Sequence, residues 1–522
     1  MEEKKVKVSL FDKFLNTVEN VGNKLPHPVL LFAELAFLVV IVSAICEAMG
    51  VSAVGTIISG GELTETTIKA NSLFNGEGFA WMLSSAISNF TGYAPLGTVM
   101  GAMLGVGVAE RSGLISAMLK RVVEVTPKSL ICPVMVFLGV MSNVASDVGY
   151  VVLIPLGAMV FRAYGRHPMA GLAATFSGVS GGFSANLAIG TLDPLLQGIS
   201  QEAATLIDPG YEVNIMGNYY FMFASTFVIT LIGTFITDKV VEPRLGKFDG
   251  TLLGEEDASL RELSDLDRKA LKNATIAFFV YVTLVVAACI PSDSFMRNAN
   301  GEFLASPTSP LISGIIVIIA LCFFIPGAVY GLTNKTYKNT AAVCDAMGKS
   351  MGTMGTFLSL AFVASQFIAY FGKTNLGTIL AINGAALLQE MNVGLIPLMI
   401  VFVIFSAFIN LFMGSASAKW NIMAPVFVPM FMLLGYSPEL AQLAYRIGDS
   451  TTNLITPLMS YFAIILVYAQ KYDKNAGIGT LTATMLPYSM GFLVFWTVLL
   501  VIWLSVGIPI GPGTSISYIM GT

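Results

Sequence analysis

Apolar runs of roughly 20 residues recur from one end of this 522-residue chain to the other, and they limit its fold more than any other feature. At 1.5 Å per residue each run is long enough to cross the ~30 Å hydrocarbon core of a bilayer as a helix. Continuous spans read near 29–50, 79–109, 169–197, 218–239, 273–291, 309–332, 351–371, 438–468 and 480–507. Two further apolar stretches, 129–163 and 394–435, are interrupted by small polar residues. Only 11% of residues are charged, against about 25% in soluble domains, so a multi-pass membrane protein is expected. The formal charge of -4 leaves no basic surplus for nucleic acid. Five scattered cysteines and two histidines, His27 and His167, supply no CxxC, zinc-ligand spacing or GxSxG elbow. No GxxxxGK[ST] loop is present to cradle a nucleotide. These absences argue against an enzyme and against a resident cofactor. The polar first 26 residues do not read as a cleavable signal.

Lys and Arg set the orientation. Of 28, 23 fall in the head and in the segments 110–128, 162–166, 239–272, 335–349 and 471–474. Three (Lys69, Arg297, Lys373) fall in the opposite loops, and two (Lys419, Arg446) lie inside apolar stretches. This bias puts the N-terminus in the cytoplasm and the C-terminus outside. That requires an odd number of crossings, so nine spans fit if 129–163 and 394–435 are re-entrant hairpins. The expected organisation is a cytoplasmic segment 1–28, a first span and repeat 29–239, connecting segments 240–350, a second repeat 351–507 and an external tail 508–522.

The hairpins centre two similar units. Pro155 precedes Pro168 by thirteen residues, and Ser184-Ala185-Asn186-Leu187 follows; Pro425 precedes Pro438 by thirteen, and Thr451-Thr452-Asn453-Leu454 follows. Small-residue tips, Ser142-Asn143-Val144-Ala145-Ser146 and Gly414-Ser415-Ala416-Ser417, come before both. Amphipathic segments near 113–125 and 374–390 precede the hairpins. The units enter the membrane from opposite sides and so form an inverted repeat, a mark of secondary transporters. Non-helical backbone at membrane depth is tolerated only where protein or a water-filled cavity satisfies it. The breaks at 177–186 and 448–457 therefore should meet the tips.

Ionisable groups at that depth are functional candidates. They are Asp147 and Asp193 in the first unit, and Lys419, Arg446 and Asp449 in the second. Arg446 and Asp449 are three residues apart on a helix, a spacing that allows them to pair. Trp420 directly follows a polar tip, which suits a stacking platform. Asn143, Asn186, Asn410 and Asn453, with Asp449, are candidate oxygen ligands for a coupling sodium ion, as hard cations prefer. Asp193 or Asp449 would carry a proton instead. Glu34, on the first span, lies outside both units.

At these residues the sequence resembles the AbgT family of p-aminobenzoyl-glutamate transporters. The resemblance rests on Leu25-Pro26-His27-Pro28, Phe90-Thr91-Gly92-Tyr93-Ala94-Pro95, Gly149 to Pro155, Gly178 to Gly182, Gly414 to Trp420 and Ala444-Tyr445-Arg446-Ile447-Gly448-Asp449-Ser450 running on to Pro457. Asp147 and Lys419 depart from the family pattern, which has Glu and Gln there. The resemblance implies a homodimeric ion-transporter-like carrier of nine helices and two hairpins. It implies uptake of p-aminobenzoyl-glutamate or export of sulfonamide antimetabolites, coupled to H+ or Na+. Functional positions carried over are Asp193, Ser417, Trp420, Pro438, Arg446, Asp449 and Pro457, to which the tip analysis adds Ser415. A di- or tricarboxylate carrier is the nearest alternative function. An ion channel, with a filter repeated around a symmetry axis, is a more distant one.

Overall fold

A computed structural model describes residues 26–59, 62–145, 149–248, 263–302, 308–459 and 461–520. Among these, seven helical segments have the length and apolarity to cross a membrane: Pro28–Ala48, Gly76–Ser112, Tyr219–Leu245, Asp265–Cys289, Ile315–Thr333, Gly355–Lys373 and Ile478–Val506. Their outer faces present Leu83, Leu231, Phe279 and Leu284, each more than half exposed, as a lipid-facing surface would be. The segment expected near 79–109 is not continuous. Gly76–Thr91 stops at Gly92, and Ala94–Ser112 starts afresh with Pro95 in its first turn. Proline supplies no N–H and disfavours helical geometry in the residue before it.

The spans expected at 169–197 and 438–468 are each split. Pro168–Phe176 runs into a π-helical turn, Ser177–Gly181, and helix resumes only at Leu192–Ala204. Pro438–Thr452 gives way to irregular backbone before Phe462–Gln470. The two interrupted stretches each hold two helices. Ile131–Ser142 is followed by Ile154–Ala163, and Leu395–Asn410 by Ala416–Leu433. The amphipathic segments are the helices Leu114–Val125 and Leu376–Glu390.

Glycine sets how closely these helices meet. A Cβ on Gly178 would lie 2.2 Å from the Val136 carbonyl oxygen, and one on Gly139 would lie 2.8 Å from that of Thr175. In the second half a Cβ on Gly448 would lie 2.4 Å from the Val403 carbonyl oxygen. In each half, then, the first helix of the interrupted stretch (Ile131–Ser142, Leu395–Asn410) lies backbone to backbone against the helix that breaks. Small residues at such crossings replace the hydrophobic drive that lipid cannot supply.

The expected all-α fold needs one correction. Ser52–Ser59 and Glu62–Lys69 are antiparallel strands, with Ser52 opposite Lys69 and Ser59 opposite Glu62. Eight of their 16 residues are the β-branched Val, Ile or Thr, which favours a pleated ribbon over a helix. Ala53 and Ile68 pack the ribbon onto Ile379 and Ile382 of the helix Leu376–Glu390.

Several Lys/Arg-bearing loops contact one another. Arg166 pairs with Asp238 at 2.5 Å and with Glu242, and Arg268 pairs with Glu124. Tyr164 donates to the Thr126 carbonyl, and Arg111 to that of Lys349. The C-terminal segment joins a different set. Ser437 N–H donates to Ile516 O, Tyr518 N–H to Gly435 O, and the Tyr518 hydroxyl to Asp208.

The crossing of Ala94–Ser112 with Ile315–Thr333 is tighter still, since a Cβ on Gly105 would lie 1.8 Å from the Ala320 carbonyl oxygen. Gly105→Ala is expected to destabilise the protein by about 1–3 kcal/mol through overpacking, read as a lower unfolding midpoint in detergent. Gly97→Ala, in the same helix with nothing within 4 Å of its Cβ, should leave the midpoint unchanged or raise it. Equal effects at the two positions would contradict this packing.

Candidate functional site

The helix Pro438–Thr452 is buried along all 15 residues, although it carries Glu439, Gln442, Arg446 and Asp449. Ser437 precedes it, Pro438 presets its first turn and Glu439 sits favourably at its positive end. At its other end Thr452 donates its hydroxyl to the Ala407 carbonyl, and Thr456 to that of Leu411. These bonds tie the break to the neighbouring hairpin helix.

Arg446 and Asp449 do not pair with each other, contrary to the sequence expectation. Arg446 reaches out of the second repeat into the first. Its Nη1 lies 2.8 Å from Asp193 Oδ1, and its Nη2 donates to the Ser184 carbonyl at 3.2 Å. Asp193 also accepts from the Gly190 N–H at 2.7 Å through its other oxygen. The guanidinium is 3% exposed and its Nε has no partner among the described residues. Both groups holding it, Ser184 and Asp193, belong to the first broken span, where missing helical bonds free a carbonyl to accept.

Asp449 points elsewhere. Its Oδ1 lies 2.5 Å from the Lys419 ammonium, with side chains 2% and 0% exposed. The Tyr445 hydroxyl also donates to that carboxylate, at 3.3 Å. Lys419 donates as well to Asn410 Oδ1. The Asn410 amide nitrogen donates to the Asp449 carbonyl, to Thr452 Oγ1 at 2.9 Å and to Asn453 Oδ1 at 2.9 Å. The structure thus brings Asn410, Asn453 and Asp449 together, as the sodium reading required, but with a lysine ammonium among them. Helical spacing alone could not decide this, because residues three apart diverge by about 60° around the axis and each turns to its own partner.

Trp420 is likewise not an open platform. It is fully buried, stacks on Tyr445 at 4.4 Å between ring centroids, and donates its indole N–H to Ser200 at 2.9 Å. Ser200 donates to Gln442, which donates to Asn218. Ser200 and Gln442 are not among the candidates read from the sequence, and Tyr445 enters there only as part of a motif. The signal was present: Gln442, Tyr445, Arg446 and Asp449 follow i, i+3, i+4, i+7 spacing, a polar stripe on one helix face.

The tip residues Ser415 and Ser417 are half-buried at the start of Ala416–Leu433, where Ser415 caps the helix by accepting from Ala418 N–H. Pro457 stands half-buried in the second break, while Pro438 is buried at the helix start. The first repeat is assembled differently. Asn143 donates its amide nitrogen to the Val140 carbonyl at 3.1 Å, and its Oδ1 is buried without a partner among the described residues. Asn186 accepts from Ala188 N–H at 3.4 Å. No hydrogen bond joins Asn143 to Asn186 among the described residues, so the pairing of Asn410 with Asn453 is not repeated. Asp147 and Ser146 lie outside the described residues, and Glu34 is exposed on the first helix. Among the described residues no cluster of His, Cys, Asp and Glu could hold a metal ion. An apolar cleft of about 570 Å³ opens beside the first tip and break, lined by Ser142, Val144, Leu187, Ile189, Met216 and Tyr219 among others.

Removing one partner of a buried ion pair costs about 3–5 kcal/mol, because the other charge stays desolvated. A double-mutant cycle of Arg446→Met with Asp193→Asn should therefore show a coupling energy above about 1 kcal/mol in unfolding. The Arg446→Met and Asp449→Asn cycle should show a clearly smaller one. The reverse order would restore the helical Arg446–Asp449 pair.

Comparison with known proteins places this architecture. The description "AbgT putative transporter family" matches residues 13–518. The p-aminobenzoyl-glutamate transport protein of Escherichia coli (strain K12) is 37% identical over 501 residues, 96% of either chain. The YdaH transporter of Alcanivorax borkumensis, solved by crystallography, is 44% identical with a TM-score of 0.87 over 93% of this chain and 100% of its own. MtrF of Neisseria gonorrhoeae, from a class of antimetabolite efflux pumps, is 47% identical with a TM-score of 0.89 over 96% of this chain and 100% of its own. A match over nearly the whole length, in sequence and in structure, means that this chain belongs to the AbgT family of membrane transporters.

Proposed function

We propose that this protein is an ion-coupled secondary carrier of p-aminobenzoyl-glutamate or related aromatic anions, including sulfonamide antimetabolites, working by alternating access in a bacterial inner membrane. The observation that carries this reading is the Arg446 guanidinium, buried, crossing between the repeats and keeping Nε unspent. A planar, permanently charged fork suits a carboxylate. In this conformation Asp193 and the Ser184 carbonyl hold that fork. A substrate carboxylate that displaces Asp193 leaves it free to take a proton or to favour a cation, which links substrate binding to the coupling ion. The same exchange loosens the bond between the repeats, the contact that alternating access must remake.

The apolar cleft beside Val144 and Leu187 suits the aminobenzene ring better than Trp420, whose faces are already covered. The tip hydroxyls of Ser415 and Ser417, with Pro438 and Pro457 shaping the tip and break, would complete recognition. Asn143 and Asn186 remain candidate sodium ligands in the first repeat. The full organisation is nine spans and two re-entrant hairpins in a homodimer, with the N-terminus cytoplasmic and the C-terminus external. The bias of Lys and Arg and the mutual contacts of their loops support that orientation.

Arg446→Lys keeps the charge and loses the fork. Binding of radiolabelled p-aminobenzoyl-glutamate to purified, monodisperse protein should weaken at least about tenfold, equivalent to about 1.4 kcal/mol. Unchanged affinity would remove Arg446 from the substrate site. For the orientation, single cysteines in the 239–272 loop should label only from the cytoplasm, and one near Thr522 only from outside. Labelling of both from the same side would end the odd-span arrangement.

A further inference from the structure

We propose that Lys419 is a built-in cation that takes, in the second repeat, the place of an exchangeable coupling ion, so that any sodium this carrier uses is held by the first repeat alone. The ion coupling itself rests on the function proposed above; the occupancy of the second site rests on geometry. The donors there are of the kind a monovalent hard cation binds: one carboxylate oxygen, from Asp449, and one amide oxygen, from Asn410, in a site closed to water. The Asn410 amide cannot turn away. Its two N–H hydrogens are shared among Asp449 O, Thr452 Oγ1 and Asn453 Oδ1, which turns its oxygen toward the ammonium. Both oxygens that would face a metal ion therefore face Nζ, which supplies the same single positive charge on a covalent tether.

The first repeat shows what this position looks like without the lysine. Counting back six residues from the matched prolines, Lys419 before Pro425 corresponds to Gly149 before Pro155. A Cβ on Gly149 would lie 2.1 Å from Ser142 Oγ, so no side chain enters there. Asn410 ends the first helix of its hairpin, and Asn143 caps the first helix of the other. The oxygen that Lys419 occupies on Asn410 is the one left buried and, among the described residues, without a partner on Asn143. One half carries its cation; the other also closes its first helix on an asparagine, whose amide oxygen meets no ammonium among the described residues. An ammonium fixed to the chain cannot be released on either side of the membrane, so the second repeat contributes binding geometry and no sodium flux.

The test is thermal unfolding of the purified full-length protein in sodium chloride against choline chloride at equal ionic strength. Lys419→Gln replaces the ammonium with an amide oxygen and leaves Asp449 charged. It should gain a saturable, sodium-specific rise in unfolding midpoint, several degrees beyond any shown by the wild type. Lys419→Gln combined with Asp449→Asn removes the negative charge and should return the sodium response to the wild-type level. Aggregation of Lys419→Gln in choline, with a monodisperse protein in sodium, counts as the same gain. The proposal is overturned if Lys419→Gln responds to sodium no more than the wild type, if the double variant keeps the gained response, or if Lys419→Gln misfolds in both salts. Because no substrate or transport is measured, an error in the substrate assignment would leave this result unaffected.

Discussion

A charge buried in an apolar interior must be held by a partner or the fold cannot keep it. Arg446 obtains its partners from the other half of the molecule, Asp193 and the Ser184 carbonyl. That need explains why two interrupted helices meet where they do. A continuous helix would keep the Ser184 carbonyl for its own backbone. The break frees it, and Asp193, accepting from Gly190 N–H, is fixed by the same irregular turn. The ion pair and the broken backbone are thus parts of one solution, each satisfying groups that the other leaves open.

The second pair, Lys419 with Asp449, lies wholly within its own repeat. The two pairs sit on one fully buried helix three residues apart and serve different ends: one bridges the halves and the other closes a half upon itself. Between them Tyr445 stacks on Trp420 and donates to Asp449, so the aromatic and ionic elements are mechanically joined. The same helix, at Gly448, touches the backbone of the neighbouring helix Leu395–Asn410. Coupling between a substrate carboxylate and an ion needs such a shared rigid element with two competing sets of partners.

Much of this was legible from residue order. Apolar length placed the membrane segments. Pro168 and Pro438 with the Asn-Leu breaks located both split spans, because proline and small polar residues act locally on the backbone. The site residues Asp193, Trp420, Arg446 and Asp449 stood out as charges or a ring in otherwise apolar surroundings. Their partners did not. Spacing favoured Arg446 with Asp449, and only packing shows that the guanidinium goes to Asp193, 253 positions earlier in the chain. The ribbon Ser52–Ser59 with Glu62–Lys69 was also missed, since eight-residue strands lie below the length that membrane-span reading detects.

The sequence by itself determined the class of molecule and singled out the few polar residues in its apolar segments. Those follow from local rules: the length of an apolar run, the geometry of proline and glycine, and the cost of a charge among hydrocarbon. Tertiary structure decided how the polar residues combine. It buried Trp420 against Tyr445, sent Arg446 across the repeats and set the Lys419 ammonium between Asn410 and Asp449. Pairing inside a dry core is chosen by which desolvated donor and acceptor are brought face to face, and that depends on helices far apart in the chain packing at particular glycines.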